Sequence, residues 1–119
     1  MLLGKSSSGP KRWPRGQKFT VSLSGIAAEE AYRAAVLGAR SSGRNALDTA
    51  LISWATPLGV APADGVILAE LSGKRLGLSS LCEGLEAAGI VAEDVRAGIA
   101  RLVSAGLVEP VPAPGERLA

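Results

Sequence analysis

In residues 17–24, QKFTVSLS, polar and apolar side chains alternate strictly from Lys18 onward. The apolar positions are Phe19, Val21 and Leu23, and the polar positions are Lys18, Thr20 and Ser22. Because successive side chains of a β-strand point to opposite faces, this pattern predicts a strand with one apolar face. Helical patterns follow directly, so no partner strand is expected nearby, and a single strand leaves both edges unpaired. We therefore expect the same strand of a second chain to complete a two-stranded ribbon.

Two helices are predicted after the strand. Residues 26–40 are rich in alanine and carry apolar side chains at three- and four-residue spacing, which favours a helix with Ser24 as its N-cap. A second helix is expected over about residues 45–54, after a break at Gly43. Proline cannot continue a helix, so Pro57 is expected to end it, and residues 56–63 are predicted to be a linker.

Residues 64–113 are predicted to form a second, helical domain. Its expected elements are helices over residues 64–71, after Ser80 and over 91–105, and a short strand over 107–111. Ser80 and Glu83 have the spacing of a capping box. The last helix should end at Gly106, which suits a left-handed cap. Pro110 restricts the strand to the edge of a sheet. Residues 114–119 are expected to be a tail.

The charges are divided unevenly along the chain. Residues 1–63 hold eight basic and three acidic side chains, a charge of +5, whereas residues 64–119 hold five basic and eight acidic ones, a charge of −3. Residues 1–16 combine glycine, serine, proline and basic side chains, a composition typical of a flexible arm. Either the arm is a solubilising tail, or Lys11, Arg12 and Arg15 contact phosphates. Trp13 among them could stack on a base.

Residues 17–55 resemble the Arc-type ribbon-helix-helix DNA-binding family in the order strand, helix, turn, helix, with ARSSGRN at residues 39–45 as the turn. In that family the strand pairs with that of a second subunit and enters the major groove. The resemblance implies a homodimer in which Lys18, Thr20 and Ser22 contact base edges of double-stranded DNA. It also implies that Arg44 and Asn45 contact a phosphate at the start of the second helix, a position that suits anions.

The second half is similar to the winged-helix arrangement, in which DNA-binding members place the third helix in the major groove. Here that helix begins with Glu93 and Asp94, whose carboxylates would repel phosphates. We therefore expect this acidic half to mediate dimerisation or to dock a protein partner, with a second DNA-reading domain as the alternative.

The expected fold is mainly α-helical: a ribbon-helix-helix unit followed by a small winged-helix-like domain. The expected function is a homodimeric, sequence-specific DNA-binding protein, a transcriptional repressor. The alternatives are a protein-interaction adaptor without a nucleic-acid role, and a DNA-segregation or antitoxin component that uses the same ribbon. The chain has no histidine and a single cysteine. We therefore expect no zinc site, no cofactor, no enzymatic activity, no membrane association and a cytoplasmic location.

Overall fold

The computed structural model of the chain describes Trp13 and residues 16–111. In chain order, the elements are β1 (Lys18–Val21), α1 (Leu23–Ala39), a 3-10 turn (Arg40–Ser42), α2 (Arg44–Leu58), α3 (Asp64–Leu71), β2 (Leu76–Gly77), α4 (Leu78–Glu86), α5 (Ala92–Ser104) and β3 (Val108–Val111). The prediction of a mainly helical fold is confirmed, with one small antiparallel sheet beside the helices. None of the helices in these residues has the length and apolarity needed to cross a bilayer.

The strand β1 lies in the centre of this sheet, between β2 and β3. Both neighbours run antiparallel to it, and Phe19 lies opposite Leu76 on one side and Pro110 on the other. The expectation that β1 has no partner in its own chain is therefore wrong, and so is the intermolecular ribbon, because both edges of β1 are occupied. The predicted edge strand containing Pro110 is confirmed.

The junction between β1 and α1 lies earlier in the chain than the alternation suggests. Ser22, not Ser24, is the N-cap of α1, and its Oγ accepts a hydrogen bond from the backbone N–H of Gly25 at 3.0 Å. Leu23 is therefore the first residue of a helix instead of an inward position of a strand, and it is 87% exposed. A serine that can cap a helix ends the strand before the alternating pattern does.

Ser22 also ties this junction to the end of α5. Its Oγ donates to the carbonyl oxygen of Gly106 at 2.6 Å, and its backbone N–H donates to that of Leu107 at 2.9 Å. The end of α5 has the predicted geometry, since Gly106 has a φ of 80° and the N–H of Leu107 donates to the carbonyl oxygen of Leu102 at 2.9 Å. Hydrogen bonds thus join the start of α1 to the residues that follow α5.

A single hydrophobic core draws its side chains from both halves of the sequence. Its largest fully buried members are Phe19, Ile67, Leu68, Leu71, Leu81, Leu85, Ile99 and Leu102. Trp54 of α2 joins the same core and donates its Nε1 hydrogen to the carbonyl oxygen of Ala28 at 2.9 Å. The two halves of residues 16–111 therefore share one core.

Two boundaries in the helical part differ from the expected ones. The helix α2 includes Pro57 and ends only at Gly59, whose φ is 76°, so the first residues of the predicted linker are helical. Proline has no backbone N–H, so the helix loses one hydrogen bond at Pro57. Only one more residue of α2 follows it, so little helix is affected. The expected capping box is wrong, because α4 begins at Leu78 after Gly77, before Ser80.

Two carboxylates are buried where helices meet. Asp64, the first residue of α3, is 1% exposed and accepts hydrogen bonds from Arg101 Nε at 2.8 Å and Nη2 at 3.0 Å. Glu29 of α1 is 5% exposed, pairs with Arg33 and accepts a hydrogen bond from Ser72 Oγ at 3.4 Å. These pairs satisfy charges that would otherwise be costly to bury, and they fix α3 against α5 and α1.

Candidate nucleic-acid interface

The three strand residues expected to contact bases do not form a common exposed row. Lys18 is exposed, whereas Thr20 is half-buried and lies opposite Glu109 of β3. Ser22 lies beyond the end of β1 and is only 8% exposed. Because its hydroxyl donates one bond and accepts another within the chain, that hydroxyl is not free to contact a base edge. Of the three, Lys18 alone is exposed.

The turn between α1 and α2 projects several polar and basic groups into solvent. We call residues 40–45 the basic turn; it consists of Arg40, Ser41, Ser42, Gly43, Arg44 and Asn45, all of them exposed. Ala39 precedes it and is buried, which anchors the turn to the body of the protein. Gly43 has a φ of 98°, a backbone conformation that favours glycine over every other residue. The turn is therefore shaped by its own sequence.

The start of α2 lies inside the basic turn. Its N-cap is Gly43, and within the described part of the chain no side-chain hydrogen bond caps this end of the helix. Asn45 is the second residue of α2 and does not cap it. The first backbone N–H groups of a helix have no acceptor within the helix and carry a partial positive charge. Here they lie next to two arginines, an arrangement that suits an anion such as a phosphate.

Arg40 and Arg44 are free of acidic partners among the described residues. The two ion pairs there involve Arg33 with Glu29 and Arg101 with Asp64. Unlike these, the arginines of the basic turn keep their guanidinium groups open to solvent and to a ligand. Arg44, predicted to contact phosphate, thus lies beside Arg40, which the sequence pattern did not single out for that role.

The described part of the N-terminal arm includes Trp13. Lys11, Arg12 and Arg15 lie outside the described residues. Trp13 is described, and its ring packs edge-on against Phe19, with centroids 5.0 Å apart and planes at 84°. This contact places Trp13 against the protein core, which differs from the base-stacking role considered for it.

The helix α5 presents an acidic start to solvent. Glu93 and Asp94 are exposed in its first turn, as the sequence suggests. Of its two arginines, Arg101 is engaged by Asp64, which raises the pKa of the guanidinium above its ordinary value by hydrogen bonding. Arg96 is thus the exposed cation that α5 leaves unpaired among the described residues. This helix is poorly suited to lie against phosphates.

Two features of the structure were not anticipated from the sequence. One is the buried pair of Asp64 and Arg101, for which the sequence holds no signal, because the partners lie on different helices. The other is the exposed apolar side of α1, which carries Leu23, Ile26 and Leu37. Its signal was present in the small residues Ala27, Ala31, Ala34 and Gly38, which recur at three- and four-residue spacing along α1.

The chain was compared with known proteins on three levels. Comparison with protein-family models, with curated proteins and with solved structures found no match on any of them.

Proposed function

We propose that this protein binds DNA and that the basic turn is its contact with the phosphate backbone. The observation that carries the proposal is the grouping of Arg40, Arg44 and the uncapped start of α2 on one exposed turn. Arginine is well suited to phosphate, because its planar guanidinium donates several hydrogen bonds and keeps its charge at all physiological pH values. Phosphate contacts supply most of the affinity of non-specific DNA binding.

The mode of binding differs from the ribbon inferred from the family resemblance. A strand with both edges paired cannot form a two-stranded ribbon with a second chain, so β1 is not the proposed reading element. Lys18 remains an exposed cation on the sheet and adds to the positive surface. Repression of transcription would require sequence reading in addition to phosphate contacts. Repression remains the proposed role of DNA binding.

Replacing both Arg40 and Arg44 by alanine should weaken the binding of duplex DNA regardless of its sequence. Each arginine contributes about one counterion to the salt dependence, so the slope of log K against log salt should fall by about two. The affinity at low salt should fall by about a hundredfold, since one charged hydrogen bond is worth about 1.4 kcal/mol. Fluorescence anisotropy of a labelled duplex at several salt concentrations measures both quantities.

The matched control is the double replacement of Lys74 and Arg75 by alanine. It removes the same charge from an exposed loop before β2 and should change the salt slope by less than half a unit. If the two double variants weaken binding equally, only the overall charge matters and the basic turn is not the site. If the unmodified protein does not bind duplex DNA at low salt, the proposal fails altogether.

A second candidate function, a protein-interaction adaptor, is favoured by the acidic surface of α4 and α5. The exposed carboxylates there are those of Glu83, Glu86, Glu93 and Asp94. A basic protein segment would complement this surface. The same anisotropy experiment separates the two functions, because an adaptor of this kind would leave DNA unbound. A segregation or antitoxin component would use both surfaces, and binding of a protein partner together with DNA would distinguish it.

A further inference from the structure

The outward side of α1 is largely apolar, with charged side chains near its middle. Three of the five large hydrophobic side chains exposed in the described residues belong to this helix: Leu23, Ile26 and Leu37. Between them runs a stripe of small exposed residues spaced three or four apart: Ala27, Ala31, Ala34 and Gly38. The side of a surface helix that faces water normally carries polar residues, and a continuous apolar surface of this kind marks an interaction site.

The charges on this side of α1 are self-complementary. Glu30 and Arg33 lie near the middle of the helix, and both are exposed. Arg33 pairs with Glu29 but keeps 61% of its side chain exposed, while Glu30 has no ion pair among the described residues. A two-fold axis that crosses α1 between them would place Glu30 of each chain opposite Arg33 of the other. An interface around a two-fold axis uses the same surface twice.

We propose that α1 packs antiparallel against α1 of a second copy of this chain. In the register that pairs Glu30 with Arg33, Ile26 of one copy lies opposite Leu37 of the other. The stripe of small residues then lies at the contact, where it allows the helix axes to approach to about 8 Å. Ile26, Leu37 and the two ion pairs are thereby covered by the same occupant, a second α1.

This arrangement has a consequence for DNA binding that rests on the proposed function. The basic turn follows the C-terminal end of α1, so an antiparallel pair carries one basic turn at each end. At 1.5 Å per residue, the Arg40 positions of the two copies lie roughly 25 Å apart along the helix axes. The dimer would therefore carry two separate phosphate-binding turns, and binding of one duplex by both would raise the affinity above that of a single chain.

The first test is self-association in the absence of DNA, measured by sedimentation across a concentration series. The interface consists of one 17-residue helix from each chain, so we expect a dimer that dissociates in the micromolar range. Leu37→Glu should raise the dissociation constant by about a hundredfold, since each dimer loses two buried leucines. Glu30→Arg should raise it by about tenfold or more, because it places like charges opposite each other.

The control is Ile52→Glu. Ile52 is an apolar residue of α2 that is 54% exposed and lies outside the proposed contact. It should leave the dissociation constant unchanged, and circular dichroism confirms that each variant is folded. A protein that stays monomeric at the highest concentration overturns the proposal. So does an equal effect of Ile52→Glu and Leu37→Glu, or a species larger than a dimer.

The second test addresses orientation, in a chain whose Cys82 is replaced by alanine. Chains carrying Ile26→Cys and chains carrying Leu37→Cys should form a disulfide when mixed, whereas neither should cross-link with itself. Cross-linking of Ile26→Cys with itself would indicate a parallel pair and overturn the proposed geometry. Both tests are performed without DNA, so dimerisation can fail while the basic turn still binds phosphate. Equally, the dimer can form while the basic turn does not bind DNA.

Discussion

Gly25→Ala should lower the free energy of unfolding by about 3 kcal/mol. A Cβ at this position would clash with the carbonyl oxygen of Leu107 and would lie 2.9 Å from its carbonyl carbon and 2.5 Å from Val21 Cγ1. Overpacking of this kind costs about 1–3 kcal/mol. To relieve it, α1 must move away from the end of α5, which would break the hydrogen bonds of Ser22 with Gly106 and Leu107, each worth about 1 kcal/mol.

The gain in helix propensity from glycine to alanine, about 1 kcal/mol, offsets only part of this loss. The midpoint of thermal unfolding should therefore fall by roughly 15 °C. Gly38→Ala in the same helix is the matched control, since a Cβ there meets no atom within 4 Å. It should stabilise the protein by about 0.5–1 kcal/mol. Equal effects of the two substitutions would show that α1 does not press against Leu107.

Arg101→Met should cost about 3 kcal/mol of folding free energy. It leaves the carboxylate of Asp64, which is 1% exposed, with one remaining donor, the backbone N–H of Ala61 at 2.9 Å. Removing one partner of a buried ion pair costs about 3–5 kcal/mol. Because the side chain of Arg101 is 41% exposed, water screens part of the interaction, and the lower end of that range applies. Chemical denaturation at neutral pH measures the loss.

A second substitution separates the buried charge from the shape of the site. Adding Asp64→Asn to Arg101→Met removes the stranded charge, so the double variant should be more stable than Arg101→Met alone by about 1–2 kcal/mol. Arg96→Met on the same helix is the control for loss of a surface arginine and should change stability by less than about 0.5 kcal/mol. A loss at Arg101 no larger than at Arg96 would mean that the buried pair does not hold α3 against α5.

The helices of the protein could be predicted well from local patterns. Apolar spacing indicated α1, α2, α3 and α5, and Gly106 ended α5 with the expected geometry, because spacing and caps involve residues close together in the chain. The ends were less certain where two local signals competed. Ser22 capped α1 before the alternating pattern ended, and Pro57 was accommodated near the end of α2 instead of stopping it.

The candidate site was only partly predictable for the same reason. Arg44 and Asn45 lie on an exposed turn that the sequence of residues 39–45 shapes by itself, through Gly43. Ser22 was expected to be exposed, but it is buried by contacts with Gly106 and Leu107, which lie more than eighty residues away along the chain. The alternation of polar and apolar residues along one strand does not indicate which distant segment will cover a given side chain.

The sequence by itself determined the helical composition, the separation of basic and acidic halves, and the exposed basic turn. Each of these depends on residues within a few positions of one another. Only the tertiary structure decided that β1 is a central strand, because the two-residue β2 has no distinctive pattern and the pattern of β3 does not indicate which strand it pairs with. Burying Phe19 also removes the neighbouring backbone groups of β1 from water, so these groups need hydrogen-bond partners. The strands β2 and β3, which lie far away in the sequence, provide them.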